Sequence, residues 1–332
     1  MSAGARPVSL ALDIGATKIA AGFVPDDDPT TVLAPFRSLT QGEGLDPHAQ
    51  VRAAIARGWE LAEQEGVRIE RIGMGAPGVV EGPRGLIRYN GDTLRGWAGT
   101  DLGALAAAAS PRPVPCAAHN DVRIMAYGEY HLGAGRELPE GARILVVSLG
   151  TGVGGAIIDA GELLGGPTAA AGEISELRCA DLRGLATRCE SSCSGTGLCR
   201  YYHVLRREPE TRAPIPWALS PGEETLPEIL ARDDELIRRI LDGNLRGFGE
   251  ALGAIMSAWD LSAIIVGGGV AELGERVLGP LREGARSACL SLHREVPIMR
   301  ARLGGRAPLV GAARYAVDHG VGSTSIRKDS AS

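Results

Sequence analysis

The chain has 332 residues, room for two domains with full cores, and a formal charge of −5 at neutral pH. Net negative charge argues against nucleic acid or a membrane surface as the main partner, because both call for clustered lysine and arginine; small molecules are expected instead. No apolar run approaches the roughly 20 residues of a membrane span, MSAGARPVSL has no secretion pattern, and six cysteines in so long a chain read as free thiols or metal ligands, so a cytoplasmic protein is expected.

The first element, LALDIGATKIAAGFV at 10–24, reads as a strand, a tight turn and a returning strand. Asp13, Gly15, Ala16, Thr17 and Lys18 sit at the turn. Glycine admits a ligand close to the backbone, backbone and threonine donors suit phosphate oxygens, and Asp13 can hold Mg²⁺ directly or through water. An ordinary hairpin with a solvated polar tip fits equally well. The loop NGDTLRGW at 90–97 carries an Asn-Gly turn. PVPCAAHN then runs as a strand into the helical pattern DVRIMAYGEY, which puts Asp121 at a strand end and a helix start. In an open α/β lobe that position faces the cleft, where a carboxylate can take the proton of an attacking hydroxyl. A plain helix N-cap is the alternative for Asp121.

ILVVSLGTGVGGAIIDAGELL at 144–164 repeats the first hairpin, with Gly150, Thr151, Gly152 and Gly154 at its turn. Neither turn is GxxxxGK[ST] or a GxGxxG that opens directly into a helix, so P-loop and Rossmann readings lose ground. Two such hairpins point to two similar lobes facing one nucleotide. The four-proline stretch at 206–225 reads as a solvated loop. Residues 234–258 have a helical apolar period, and AIIVGGGVAELGERV follows as a strand, a turn at Gly267-Gly268-Gly269 and a helix.

With these segments in order, the chain resembles the ROK family of sugar kinases and repressors in the actin-like ATPase superfamily. DIGATK (13–18) looks like its first phosphate motif, GMGAPGVVEG (73–82) its inter-strand segment, and HNDVRIMAYGEYHLGAGR (119–136) its Asn-Asp helix. LGTGVGGAII (149–158) looks like the second phosphate motif, AAGEISE (170–176) the sugar-binding segment, IIVGGGVAELGE (264–275) the adenosine motif and APLVGAARYA (307–316) the closing helix. The resemblance implies a two-lobed, ribonuclease H-like α/β fold with a nucleotide and sugar cleft between the lobes. The small lobe is expected over 1–130 with a C-terminal helix at about 306–320, the large lobe over 131–305, and a disordered tail over 321–332.

It also implies an ATP- and Mg²⁺-dependent kinase acting on a sugar or cyclitol, with Asp121 as base. Asn90, Gly91, Asp92, Asn120, Glu173, Glu176 and Glu190 are then expected at the sugar, and Gly268 and Gly269 at the nucleotide. Two departures stand out. Glu176 occupies the place of a sugar-site histidine, and CADLRGLATRCESSCSG keeps Glu190, Ser194 and Gly195 of a zinc-binding run while Arg188 replaces its last cysteine. Zinc at Cys179, Cys189, Cys193 and Cys199 is accordingly doubtful. Three carboxylates around one pocket favour a cationic partner, so an amino sugar such as kanosamine, phosphorylated at its 6-hydroxyl, is the expected substrate. Glucose or a C7-cyclitol is the alternative. A sugar-responsive regulator without catalysis is the alternative of another class, although only 12 residues precede Asp13 and the family's repressors carry a helix-turn-helix there. A homodimer is expected, with the apolar face of 234–258 as one possible interface.

Overall fold

The computed structural model describes residues 4–91, 93–216 and 222–321. In chain order the strands and helices begin with β1 (Arg6–Ile14), β2 (Lys18–Pro25), β3 (Leu33–Leu39), α1 (Pro47–Gln64), β4 (Val67–Ala76), β5 (Val79–Glu81) and β6 (Leu86–Tyr89). They continue with α2 (Leu102–Ala109), β7 (Cys116–Asn120), α3 (Asp121–Leu132), β8 (Ile144–Leu149), β9 (Val153–Asp159), β10 (Glu162–Leu163), α4 (Cys189–Cys193) and α5 (Gly195–Arg207). The rest are α6 (Leu226–Arg232), α7 (Glu235–Trp259), β11 (Ala263–Gly267), α8 (Glu275–Ala288), β12 (Ile298–Arg300) and α9 (Ala307–His319). Two compact units result. Unit 1 comprises the described residues of Met1–Arg136, Gly165–Ala171 and Leu303–Ser332; unit 2 comprises those of Glu137–Leu164 and Gly172–Arg302.

Each unit is built on a five-stranded sheet, ordered β3-β2-β1-β4-β7 in unit 1 and β10-β9-β8-β11-β12 in unit 2. In both, the first strand pairs antiparallel with the second and parallel with the fourth, so the repeated hairpins of the sequence head two sheets of one topology. Leu10, Ala11 and Leu12 are buried in unit 1, and Leu145, Val146 and Val147 in unit 2, as β-strands sealed on both faces require. The parallel strands of each sheet end at the hairpin turns, at Asn120 and at Gly267, which gathers the expected functional residues at the carboxyl ends of the strands.

Glycines set the closest approaches. A Cβ on Gly311 of α9 would stand 1.9 Å from the Ile124 carbonyl oxygen of α3, and one on Gly73 of β4 would stand 2.0 Å from that of Ala312, so α9 lies backbone to backbone against two elements of unit 1. In unit 2, Gly249 and Gly253 of α7 do the same for the carbonyl oxygens of Leu281 and Ala285 on α8. The apolar face of α7, with Ile237, Ile240, Leu241, Leu245, Phe248, Leu252 and Met256, is buried in its own unit. It is therefore not the exposed interface that its period allowed. The adenosine-like turn also differs in detail: a short 3₁₀ turn at Ala271–Leu273 and Gly274, at φ 63°, delay the start of α8 to Glu275. Val321 exchanges backbone hydrogen bonds with Cys116, tying the chain to unit 1 at the first residue of the expected tail; the remainder of that tail lies outside the described residues.

Candidate active site

The first turn is closed by the Gly15 N–H donating to the Lys18 carbonyl at 2.9 Å, beyond the Ile14–Ile19 pair. Thr17 and Lys18 are exposed, Gly15 and Ala16 half-buried, and the Thr17 carbonyl accepts the Thr40 N–H at 3.0 Å. Asp13 precedes the turn. Its carboxylate is half-buried, has no hydrogen-bond or ion-pair partner among the described residues, and is pushed by burial up to about 6. An orphaned carboxylate beside a donor-rich turn fits Mg²⁺, whose charge would hold it ionised.

At the end of β7 the residue that caps α3 is Asn120, whose extended backbone lets Oδ1 accept the Arg123 N–H at 3.1 Å. Asp121 is thus the first helical residue, and the plain N-cap alternative for it falls. Its Oδ1 accepts the Val122 N–H at 2.8 Å and the Asn120 Nδ2 at 2.9 Å. Nδ2 also donates to the Gly78 carbonyl at 3.0 Å. Gly78, at φ 101°, leaves no room for a Cβ against the Tyr89 carbonyl oxygen, 2.4 Å away, and so seats the Asn90 backbone beside the Asn120 side chain. Asn90 is buried and donates through Nδ2 to the Leu94 carbonyl at 2.7 Å, which shapes the 90–97 loop. Gly91, at φ 54°, turns that loop, and Asp92 lies outside the described residues. Behind the pair, His119 Nδ1 accepts the Asn120 N–H at 2.8 Å, and the buried Arg123 guanidinium donates to the Ala171 carbonyl at 2.5 Å.

In unit 2 the second turn is closed by the Gly150 N–H on the Gly152 carbonyl at 3.0 Å, with Thr151 exposed. Glu190 Oε2 accepts the Val153 N–H at 3.0 Å and sits where a Cβ on Gly152 would stand, 2.6 Å away. Gly154 follows in β9. The Gly268 turn joins them: at φ 87° it packs on Leu149, whose carbonyl accepts the Val270 N–H at 2.9 Å, and Gly269 is exposed beside it. The Gly195 N–H at the start of α5 donates to the Gly150 carbonyl at 2.8 Å. Glu173 is exposed on a segment anchored by buried Ile174 against Gly155, and the Glu190 N–H donates to the Ser175 carbonyl at 3.4 Å, so the 173–176 segment and Glu190 are neighbours.

The sequence profile described as the ROK family matches residues 9–319. The chain belongs to the ROK family. Over 328 residues it is 31% identical to the glucokinase of Streptomyces coelicolor, covering 93% of this chain and 97% of that protein. It is 28% identical over 290 residues to the N-acetylgalactosamine kinase AgaK of a Shewanella strain, covering 83% and 86%. Among solved structures, the Streptomyces griseus ROK family glucokinase in complex with glucose and AMPPNP superposes with a TM-score of 0.74 at 30% identity, covering 94% of this chain and 99% of that one. The ROK hexokinase of Thermus thermophilus gives 0.70 at 30% identity over 93% and 98%. The fold of the ROK chain is that of the actin-like ATPases.

Two contacts bear on the expected substrate and on the doubtful zinc. Glu176 is exposed and ion-paired with Arg188, the residue standing where a cysteine was expected, so the three carboxylates expected at the sugar are not three uncompensated charges. The four cysteines do not assemble a metal site: among the described residues no three His, Cys, Asp or Glu side chains group as ligands. Cys189 Sγ instead donates to the Ile174 carbonyl at 2.9 Å, and Cys193 Sγ to that of Asn244 at 3.4 Å. Burial pushes the Cys189 thiol up to about 12 and that of Cys199 to about 11, while a hydrogen bond with Cys193 holds that of Cys179 down. His203 Nε2 lies 3.0 Å from the Glu224 carbonyl oxygen. Zinc therefore does not fit these residues of the ROK chain.

Sequence reasoning overlooked the Gly195-Thr196-Gly197 start of α5, capped by Ser194, as a donor-rich neighbour of the second phosphate turn. Its signal was present as a Ser N-cap followed by small residues.

Proposed function

We propose that this ROK protein, a sugar kinase, transfers the γ-phosphoryl group of ATP to the primary hydroxyl of a hexose. The observation that carries the reading is Asp121, held through Oδ1 by Val122 and Asn120 at the end of β7, in a chain with two phosphate-type turns. In this reading Asp121 accepts the hydroxyl proton while the backbone donors of the turns at 15–18 and 150–152 bind phosphate oxygens. Mg²⁺ on Asp13, directly or through water, would neutralise charge on the transferred group when bound. Gly268 and Gly269 border the adenosine, and Asn120, Glu173 and Glu190 bind sugar hydroxyls, with Asn90 and Gly91 shaping the adjoining loop.

The sugar is a neutral hexose such as glucose in preference to kanosamine, because Arg188 already compensates Glu176. Support comes from relatives named glucokinase at 31% identity. The likeness to a ROK transcriptional regulator, at 18% identity, shows the fold alone. With the apolar face of α7 buried, the expected homodimer would use another face, and sedimentation velocity over a range of concentrations tests it. ADP release across a panel of hexoses, amino sugars and cyclitols tests the function. Asp121→Asn is expected to lower kcat by about 10²–10⁴ while leaving ATP affinity in place; near-normal turnover in that variant would remove the assignment.

A further inference from the structure

Residues 173–188 form neither helix nor strand, and so long an irregular run needs specific anchors against its conformational entropy. The anchors converge on Asp181. Its Oδ1 accepts the Leu185 N–H at 3.0 Å, the Arg183 N–H at 3.1 Å and the Tyr201 hydroxyl, and its Oδ2 accepts the Ala186 N–H at 3.0 Å. The Tyr201 oxygen accepts the Arg183 N–H in turn at 2.9 Å. One residue along, the Leu182 N–H donates to Asn244 Oδ1 at 2.9 Å, and Asn244 Nδ2 donates to the Ser192 carbonyl at 2.9 Å. Tyr201 on α5 and Asn244 on α7 are wholly buried, so the loop is fastened to two helices. Gly247 opens α7 for the loop: a Cβ there would stand 2.0 Å from the Ala180 carbonyl oxygen. The far end is closed by the Cys189 N–H on the Leu177 carbonyl at 2.7 Å.

A carboxylate that gathers several donors shapes a loop as a cation that gathers several acceptors does: each draws distant positions of the chain to one point with charge-assisted contacts. We propose that Asp181 is a positioning residue which, with Tyr201 and Asn244, fixes the 173–190 wall without a structural metal ion. The Cys189 sulfur donates to the Ile174 and Ser175 carbonyls of the same wall and the Cys193 sulfur to the Asn244 carbonyl of α7, which agrees with that assignment. Arg188, at the end of the loop, pairs with Glu176 and closes the wall on its solvent side.

The test has thermal and metal arms, which do not depend on the sugar-kinase reading, and a kinetic arm, which does. Protein purified without chelator should contain well under one zinc per chain, and its melting temperature should be unchanged by EDTA. Tyr201→Phe, which deletes one hydroxyl, should lower the melting temperature and raise the sugar KM about threefold; Asp181→Asn should raise it about tenfold or more, both with ATP KM unchanged. Stoichiometric zinc whose removal lowers the melting temperature would overturn the proposal. So would a Tyr201→Phe or Asp181→Asn chain that melts lower yet keeps the wild-type sugar KM, since Asp181 would then be merely structural. A wild-type chain that phosphorylates no sugar would overturn the kinase reading, and the melting and zinc results would still decide this one.

Discussion

His119 should make the protein lose stability in mild acid, by an amount that follows from its surroundings. The ring is buried against Tyr315, and its Nδ1 accepts the Asn120 N–H at 2.8 Å, which assigns the proton of the neutral ring to Nε2. Burial first, then the Arg123 guanidinium, then His319 hold its pKa down at about 3, against 6.5 in a free histidine. Between those values the unfolded chain binds a proton that the native chain refuses. The contribution is therefore complete above pH 6.5 and is lost as the pH falls towards 3. At pH 5 the linkage amounts to about 2 kcal/mol. Urea unfolding at pH 7.5 and pH 5 measures it in the wild type and in His119→Asn, where the amide oxygen takes the place of Nδ1 as acceptor of the Asn120 N–H but does not titrate. The wild type should lose about 2 kcal/mol more than the variant between the two pH values. Equal losses would refute the reasoning, as would an NMR titration placing the His119 midpoint near that of a free histidine.

Gly268→Ala puts a Cβ 2.4 Å from the Leu149 carbonyl oxygen at a φ of 87°; it should destabilise by about 1–3 kcal/mol in thermal melts and raise ATP KM with sugar KM unchanged. Glu129 is wholly buried and accepts the Leu303 N–H at 2.8 Å and the Ala134 N–H at 3.1 Å. Glu129→Ala leaves both donors unsatisfied and should cost about 2–5 kcal/mol in chemical unfolding, with Glu129→Gln intermediate. For the sugar, kcat/KM on glucose should exceed that on kanosamine. Glu176→Gln, which removes an exposed ion pair, should shift either value by less than about 1 kcal/mol, and a selective loss on kanosamine would restore the amino-sugar expectation.

Local pattern made the hairpins, the β7–α3 junction and the long α7 legible, because strand and helix periods and cap residues act over a few positions. The period of α7 showed that Leu241 and Phe248 share an apolar face, but not that α8 packs along the neighbouring face at glycines 249 and 253, whose effect depends on a distant partner. At α3 the motif marked Asp121, while the cap itself went to Asn120 because the extended backbone lies one residue earlier. What stayed hidden was the meeting of loop side chains across intervening chain. Arg188 with Glu176, Asp181 with Tyr201 and Leu182 with Asn244 are contacts that no short-range rule predicts. The first of them changed the substrate expectation, because residue type gave the charge of Glu176 but not the cation beside it.

The close seat of α9 on Gly73 and on the Ile124 carbonyl of α3 bears on how the polypeptide is made. Elements β1 to α3 are synthesised before unit 2, whereas the helix that packs against their sheet follows the whole of unit 2. Unit 2 is nearly continuous along the chain and can fold as soon as it emerges. Unit 1 must wait with the α9-facing backbone of β4 and α3 uncovered, so chaperone demand and sensitivity to premature termination should both concentrate in its first 130 or so residues.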